Sequence, residues 1–239
     1  MEKERGKRGQ ITIFVIVAIL IVGAIILLFV FMGKLNITPP GKIEQNPDIF
    51  LTSCIEPSVR EAVTIISKQG GYVNTSLYKE FNGEKISYLC YTNNNYYSCI
   101  NQEPMLIQHL KAEIKKKISG DVERCFQDMK KELEGKGWGV TMGTLTFDIE
   151  LTPKKVLVNM NRNIVLSKSS QTFRYEKFNA VVSSRFYDLA IVVQEITSQE
   201  ARFCNFEQLG FMLFYPQFNI DKFRTGDGTT IYTVADRRT

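Results

Sequence analysis

The longest unbroken apolar run is Ile11–Met32, ITIFVIVAILIVGAIILLFVFM, 22 residues without a charge. At about 1.5 Å rise per residue such a helix spans roughly 33 Å, enough for a hydrocarbon core near 30 Å. Seventeen of its residues are Ile, Leu, Val or Phe. At roughly −0.3 to −0.6 kcal/mol each, they favour insertion by about 5–10 kcal/mol. It is apolar on every face, which a helix in a globular core rarely is. The pattern predicts a transmembrane helix over 11–32, with Ile11, Phe14, Ile19, Gly23, Leu28 and Met32 spread along the anchor. A cleaved secretory signal would carry a shorter apolar region, about 7–15 residues, followed by small residues. Here Gly33-Lys34-Leu35-Asn36 follows.

Past the anchor the pattern changes. Thr38-Pro39-Pro40-Gly41 cannot continue a helix, so residues 33–47 form a linker. Ile55, Val59, Ala62, Val63 and Ile66 then recur at three- and four-residue spacing, predicting a helix from Asp48 to Gln69 that Gly70-Gly71 ends. Pro57 belongs in its first turn or marks a kink. Two short strands are expected, Ile86–Tyr91 and Tyr96–Ile100, joined by Thr92-Asn93-Asn94-Asn95. Met105, Ile107, Leu110, Ile114 and Ile118 make the stripe of one long or two shorter helices over 103–134, with a break expected at Gly120-Asp121.

The period then drops to two. Leu145, Phe147, Ile149 and Leu151 alternate with Thr144, Thr146, Asp148 and Glu150, a half-buried strand. Pro153-Lys154-Lys155 turns the chain, and strands follow at Val156–Met160, Ile164–Ser167 and Gln171–Val181. A helix is predicted from Ser184 to Phe203, with Phe186, Leu189, Ala190, Val193 and Ile196 inward. Phe211–Phe214, Asn219–Arg224 and Thr230–Val234 read as closing strands around the turn Gly226-Asp227-Gly228. Helices dominate the first half and strands the second. The expected fold is α+β: one transmembrane helix, a helix-rich half, then an antiparallel sheet packed with helices. In domain terms this gives a basic tail (1–10), the anchor, the linker and a domain over 48–239, with two subdomains, 48–137 and 138–239, as the alternative.

Charge orients the anchor. Lys3, Arg5, Lys7 and Arg8 precede it, against Glu2 and Glu4, whereas only Lys34 and Lys42 follow closely. Basic residues stay on the cytoplasmic side, which places the bulk of the chain outside the cell. The lipid bilayer is therefore the first expected partner. The formal net charge of +5 includes +2 from the tail, and the remainder is too mildly basic for a nucleic-acid footprint.

Lys7-Arg8-Gly9-Gln10 before the apolar run resembles the cleavage site of class III prepilin-type signals of archaea. That resemblance implies processing between Gly9 and Gln10, with the apolar helix retained. The fifth position after Gly9, where the family carries Glu, is Phe14 here. Lys7–Phe14, Ser53-Cys54-Ile55-Glu56, Gln69-Gly70-Gly71-Tyr72 and Cys204-Asn205-Phe206-Glu207 together resemble a group of single-pass cell-surface proteins of small-genome archaea. The resemblance implies location and architecture, not an activity. Members run on past a strand like Ile231–Val234, so the chain is expected to be incomplete at Thr239.

The five cysteines form no C-x-x-C and, with one histidine, no familiar zinc pattern. In an outside compartment thiols tend to pair. Cys90 with Cys99 would staple the Asn-rich hairpin, and Cys54 with Cys125 would tie two helices. Cys204 is then free, or paired with a residue beyond this terminus or in another chain. Five reduced thiols is the alternative.

No nucleophile motif lies near His109, and phosphate-cradling and metalloprotease signatures are absent. Asp148 and Glu150 share a strand face, which suits a solvated surface better than acid/base work. Asp221, Asp227 and Asp236 flank a turn without the spacing of a calcium loop. Lys115, Lys116 and Lys117 form a solvated helix face, or a contact for an anionic polymer. Tyr91, Tyr96 and Tyr97 make a candidate partner surface. Asn36-Ile37-Thr38 and Asn74-Thr75-Ser76 are glycosylation acceptors. No cofactor and no catalytic set is predicted. The reading is a tethered module that binds a protein or cell-envelope polymer; the alternatives are a pilin-like subunit and an extracellular enzyme.

Overall fold

In a computed structural model of the chain, the described residues are 17, 21–23, 46–94 and 97–238. The anchor residues Ile11, Phe14, Ile19, Leu28 and Met32, the processing positions Gly9 and Gln10, and Tyr96 lie outside them. Val17 and Ile21–Gly23 are helical. Among the described residues, no helix is long and apolar enough to cross a membrane. The chain divides into Met1–Lys42 and Ile43–Thr239, and the second unit is mixed α and β with antiparallel pairing throughout.

Helix α1, Pro47–Lys68, buries Leu51, Ile55, Val59, Ala62 and Ile66 on one face. Pro57 lies in its interior rather than its first turn. It is exposed, so the carbonyl left without a donor faces water. The helix ends in a left-handed turn: Gly70 has φ +66° and the Gly71 N–H reaches the Ile66 carbonyl at 2.9 Å.

Strands β1 (Tyr78–Phe81) and β2 (Glu84–Ser87) form a hairpin. Asn82 and Gly83 at its tip both have positive φ, 51° and 82°. This two-residue turn matches the right-handed twist of its strands. The single strand expected at Ile86–Tyr91 is thus divided between β2 and β3 (Cys90–Tyr91), because the Asn-Gly pair takes the hairpin upstream. Of the strand expected at Tyr96–Ile100, among the described residues 97–100 only Ile100 pairs, in β4 (Ile100–Asn101).

Helix α2, Leu106–Gly135, is one continuous element. Gly120 does not break it, since the face carrying Gly120 is exposed and the buried row runs Ile114, Ile118, Val122, Cys125, Phe126 and Met129. A strand not expected from the sequence follows, β5 (Gly139–Met142), then β6 (Thr146–Thr152), β7 (Lys155–Lys168) and β8 (Gln171–Ser183). The two strands expected at 156–160 and 164–167 are one, with a bulge between Asn161 and Ile164. β5 and β6 pair end to end along one edge of β7, and β8 takes the other edge. Helices α1 and α2 cover one face of this meander, and one core runs from Leu51 to Ala190. That core spans both sides of residue 137.

Helix α3, Phe186–Phe203, gives Phe186 and Ala190 to this core and Val192 and Ile196 to a second, completed by Phe206, Phe218 and Ile220. Residues 211–214, expected as a strand, belong to a short helix, α4 (Gln208–Phe214). The Glu207 carboxylate accepts from the Leu209 N–H at its start. Phe211 and Met212 pack on the second core, and the Ile220 N–H meets the Met212 sulfur at 3.2 Å. Strands β9 (Phe218–Arg224) and β10 (Thr230–Asp236) close the domain as a hairpin.

Candidate functional site

Disulfides join Cys54 to Cys125 and Cys90 to Cys99. The first pins α1 to α2 beneath the sheet, and the second closes the β3–β4 hairpin. Cys204 is a free, exposed thiol.

Two features of the described surface are candidates for a site. The first is a cleft of about 720 Å³ lined by Ser119, Glu123, Met142–Leu145, Phe147 and Arg162. It exists because the β7 bulge sits opposite the break between β5 and β6. Arg162 holds an inward position of β7 that its neighbours fill with Met160 and Ile164. Its side chain is 8% exposed, and its guanidinium bonds the Gly143 carbonyl and the Glu123 carboxylate, each at 2.9 Å. It also lies over the Phe126 ring. A buried cation demands such partners, so Arg162 braces the bulge against α2. The Ser119 hydroxyl donates back to the Lys116 carbonyl at 3.1 Å, and no histidine lines the cleft. The arrangement lacks an activated nucleophile.

His109, Lys115, Lys117 and the paired acids hold structural contacts. His109 Nε2 lies 2.9 Å from the Gly71 carbonyl and its Nδ1 3.5 Å from Glu103. Its ring packs on Tyr72 at 4.4 Å. The Tyr72 hydroxyl donates to Glu103, and the Val73 N–H donates to Glu113. Burial first, then the Glu103 carboxylate, raise the Tyr72 phenol well above its ordinary range. This network fixes the loop after α1. Lys115 pairs with Asp148 at 2.7 Å and Lys117 with Glu61 at 2.9 Å. The hydrogen bond from Lys115 holds the Asp148 carboxyl below its usual range. Asp227 accepts from Lys79, Thr225 and the Thr229 N–H. Asp236 binds Arg185 and Arg238, and Asp221 faces Asn219 and Thr233. Among the described residues no group of acids, histidines and cysteines is placed to hold a metal ion.

The second feature is an apolar surface. α4 turns Phe211 and Met212 inward and leaves Leu209 69%, Leu213 78% and Phe214 80% exposed. Phe203, at the end of α3, is 65% exposed. Cys204 follows in a left-handed conformation, with its sulfur 3.4 Å from the Ser98 hydroxyl. That contact brings the turn carrying exposed Tyr97 and Ile100 beside the end of α3. Tyr91 is half-buried, its ring edge-on to Tyr88. Of the two described tyrosines, Tyr91 and Tyr97, the structure thus leaves Tyr97 outward beside this surface. The residues of α4 were missed in the sequence because a strand reading of Phe211–Phe214 hides their division into inward and outward pairs. The helical spacing of Leu209 and Leu213, after a capping Glu207, was the available signal.

Comparison with known protein families, curated proteins and solved structures found no match.

Proposed function

We propose that this chain is a single-pass membrane protein of the cell surface, anchored by residues 11–32, whose α+β domain acts outside the cytoplasm by binding rather than by catalysis. The observation that carries the binding reading is the outward apolar face of α4 and the end of α3, since contiguous exposed apolar surface marks interaction sites. Two disulfides fit an oxidising compartment. The charge asymmetry around residues 11–32 fits an N-terminus inside and a domain outside. The partner is a protein or an envelope polymer, and the domain needs no cofactor for this role.

The exposed thiol of Cys204 supplies the test. A membrane-impermeant phosphine reductant followed by a membrane-impermeant maleimide, both added to intact cells, is expected to label the chain, and alkaline carbonate is expected to leave it in the membrane pellet. Labelling that requires permeabilised cells, or release by carbonate alone, overturns the anchored reading. Lys7-Arg8-Gly9-Gln10 favours a second reading, a pilin-like subunit processed after Gly9. A mature N-terminus at Gln10 by mass spectrometry supports it, and an intact Met1 counts against it.

A further inference from the structure

We propose that the apolar face of α4 and the end of α3 is the contact between two copies of this chain, related by a two-fold axis that passes close to Cys204. The proposal deepens the binding reading above by naming the partner.

Area comes first. With aromatic side chains presenting roughly 150–250 Å² each, the exposed parts of Phe203, Leu209, Leu213, Phe214 and Tyr215 amount to something on the order of 600 Å². Tyr97 and Ile100, on the turn that meets Cys204, bring this to roughly 900 Å², against about 800 Å² from each partner in a standard interface. Aromatic residues supply much of it, as in interface cores.

Charge selects a second copy over a lipid surface. Arg202 and Glu207 both border the face. Arg202 lies over the Phe203 ring, and Glu207 caps α4. Both are exposed, and among the described residues neither makes an ion pair within its own chain. A face that docks on anionic lipid gains from cationic excess, whereas here one cation and one anion balance. A two-fold contact requires a self-complementary patch. Pairing apolar with apolar, and each Arg202 with the Glu207 of the other copy, meets that requirement.

Cys204 then marks the axis. Residues near a two-fold axis meet their own equivalents, so the two thiols come within the range of a disulfide, Cα atoms less than about 7 Å apart. Joining them releases two protons and two electrons, which diamide takes up as it is reduced to its hydrazine.

The experiment uses the full chain in detergent micelles, where sidedness plays no part, so its outcome is independent of the anchored reading. Diamide is expected to convert most of the 27.4 kDa chain to a species of twice that mass on a non-reducing gel. Cys204→Ser is expected to abolish it. The double variant Leu213→Glu, Phe214→Glu is expected to lower the cross-linked fraction at least tenfold. An unchanged circular-dichroism spectrum and thermal midpoint of that variant show that the fold is intact. A chain that stays single after diamide while Cys204 is fully labelled by maleimide overturns the proposal. So does equal cross-linking of the Leu213→Glu, Phe214→Glu variant, which marks random collision. Protection of Cys204 from maleimide on transfer from detergent into phosphatidylglycerol nanodiscs, without cross-linking, also overturns it and assigns the face to lipid.

Discussion

Single positions in this domain carry constraints that composition does not show. Gly70 is needed twice: its φ of +66° lies where a side chain is strained, and an added Cβ would stand 2.8 Å from the Ser87 carbonyl oxygen. Left-handed backbone costs a non-glycine residue roughly 1–2 kcal/mol, and the contact is with backbone that cannot swing away. Gly70→Ala is therefore expected to cost about 2–4 kcal/mol in urea denaturation; a loss below about 0.5 kcal/mol would show that β2 can move. Gly70-Gly71 was read from the sequence as a helix end, but the approach of Ser87 could not be. Arg162 makes the same point from the other side. Strand alternation puts it inward, which a sequence reading avoids for an arginine. Only the facing Glu123 on α2 and the Gly143 carbonyl make the position tolerable.

Among the elements, the two bridges differ in what they constrain. Cys90 and Cys99 close a short hairpin, nine positions apart, whereas Cys54 and Cys125 are 71 apart and join two helices. The chain-entropy relation gives about 2.6 kcal/mol for the shorter loop and about 4.4 kcal/mol for the longer. Replacing Cys54 and Cys125 together by Ala is expected to lower stability by roughly 2 kcal/mol more than replacing Cys90 and Cys99 together. Equal losses in guanidinium titration would mean that the long loop is already ordered in the unfolded chain. Boundaries were most legible where a period was sustained. The stripe from Met105 to Ile118 and the alternation over 145–151 predicted helix and strand where α2 and β6 form, though not that α2 is unbroken. Periodicity failed at α4, where seven residues are too few to separate a helical period from an apolar strand. It failed also at β7, where the bulge at Asn161–Ile164 looks in sequence like the gap between two strands.

Across the whole molecule, Asp236 is the clasp of the chain's end. Its side chain is 1% exposed, and it receives Arg185 from the start of α3 and Arg238 from just beyond β10. The Arg238 bond first, with Arg185 behind it, holds its carboxyl well below the usual carboxylate range. A depressed carboxyl stabilises the fold at any pH above its unfolded value near 3.9, and that contribution fades as pH falls through the folded value. Asp236→Asn is accordingly expected to cost about 3 kcal/mol at pH 7. The gap to the parent chain should narrow steadily below about pH 4. A gap that stays constant from pH 7 to pH 3 in chemical denaturation would rule out this linkage.

The sequence by itself determined the α+β class, the long helices, the period-two strands and the apolar run at 11–32, because each rests on local periodicity or on the transfer of side chains out of water. It also determined that a net basic tail precedes that run, which sets the expected sidedness. Tertiary structure decided what periodicity cannot reach. It made one bulged β7 from two apparent strands, because β5 and β6 share its edge. It gave Arg162 a facing Glu123, and it turned the last apolar stretch into a helix that exposes Leu213 and Phe214. Those outcomes depend on what lies opposite a residue in space, and a chain read in one dimension records only its neighbours along the backbone.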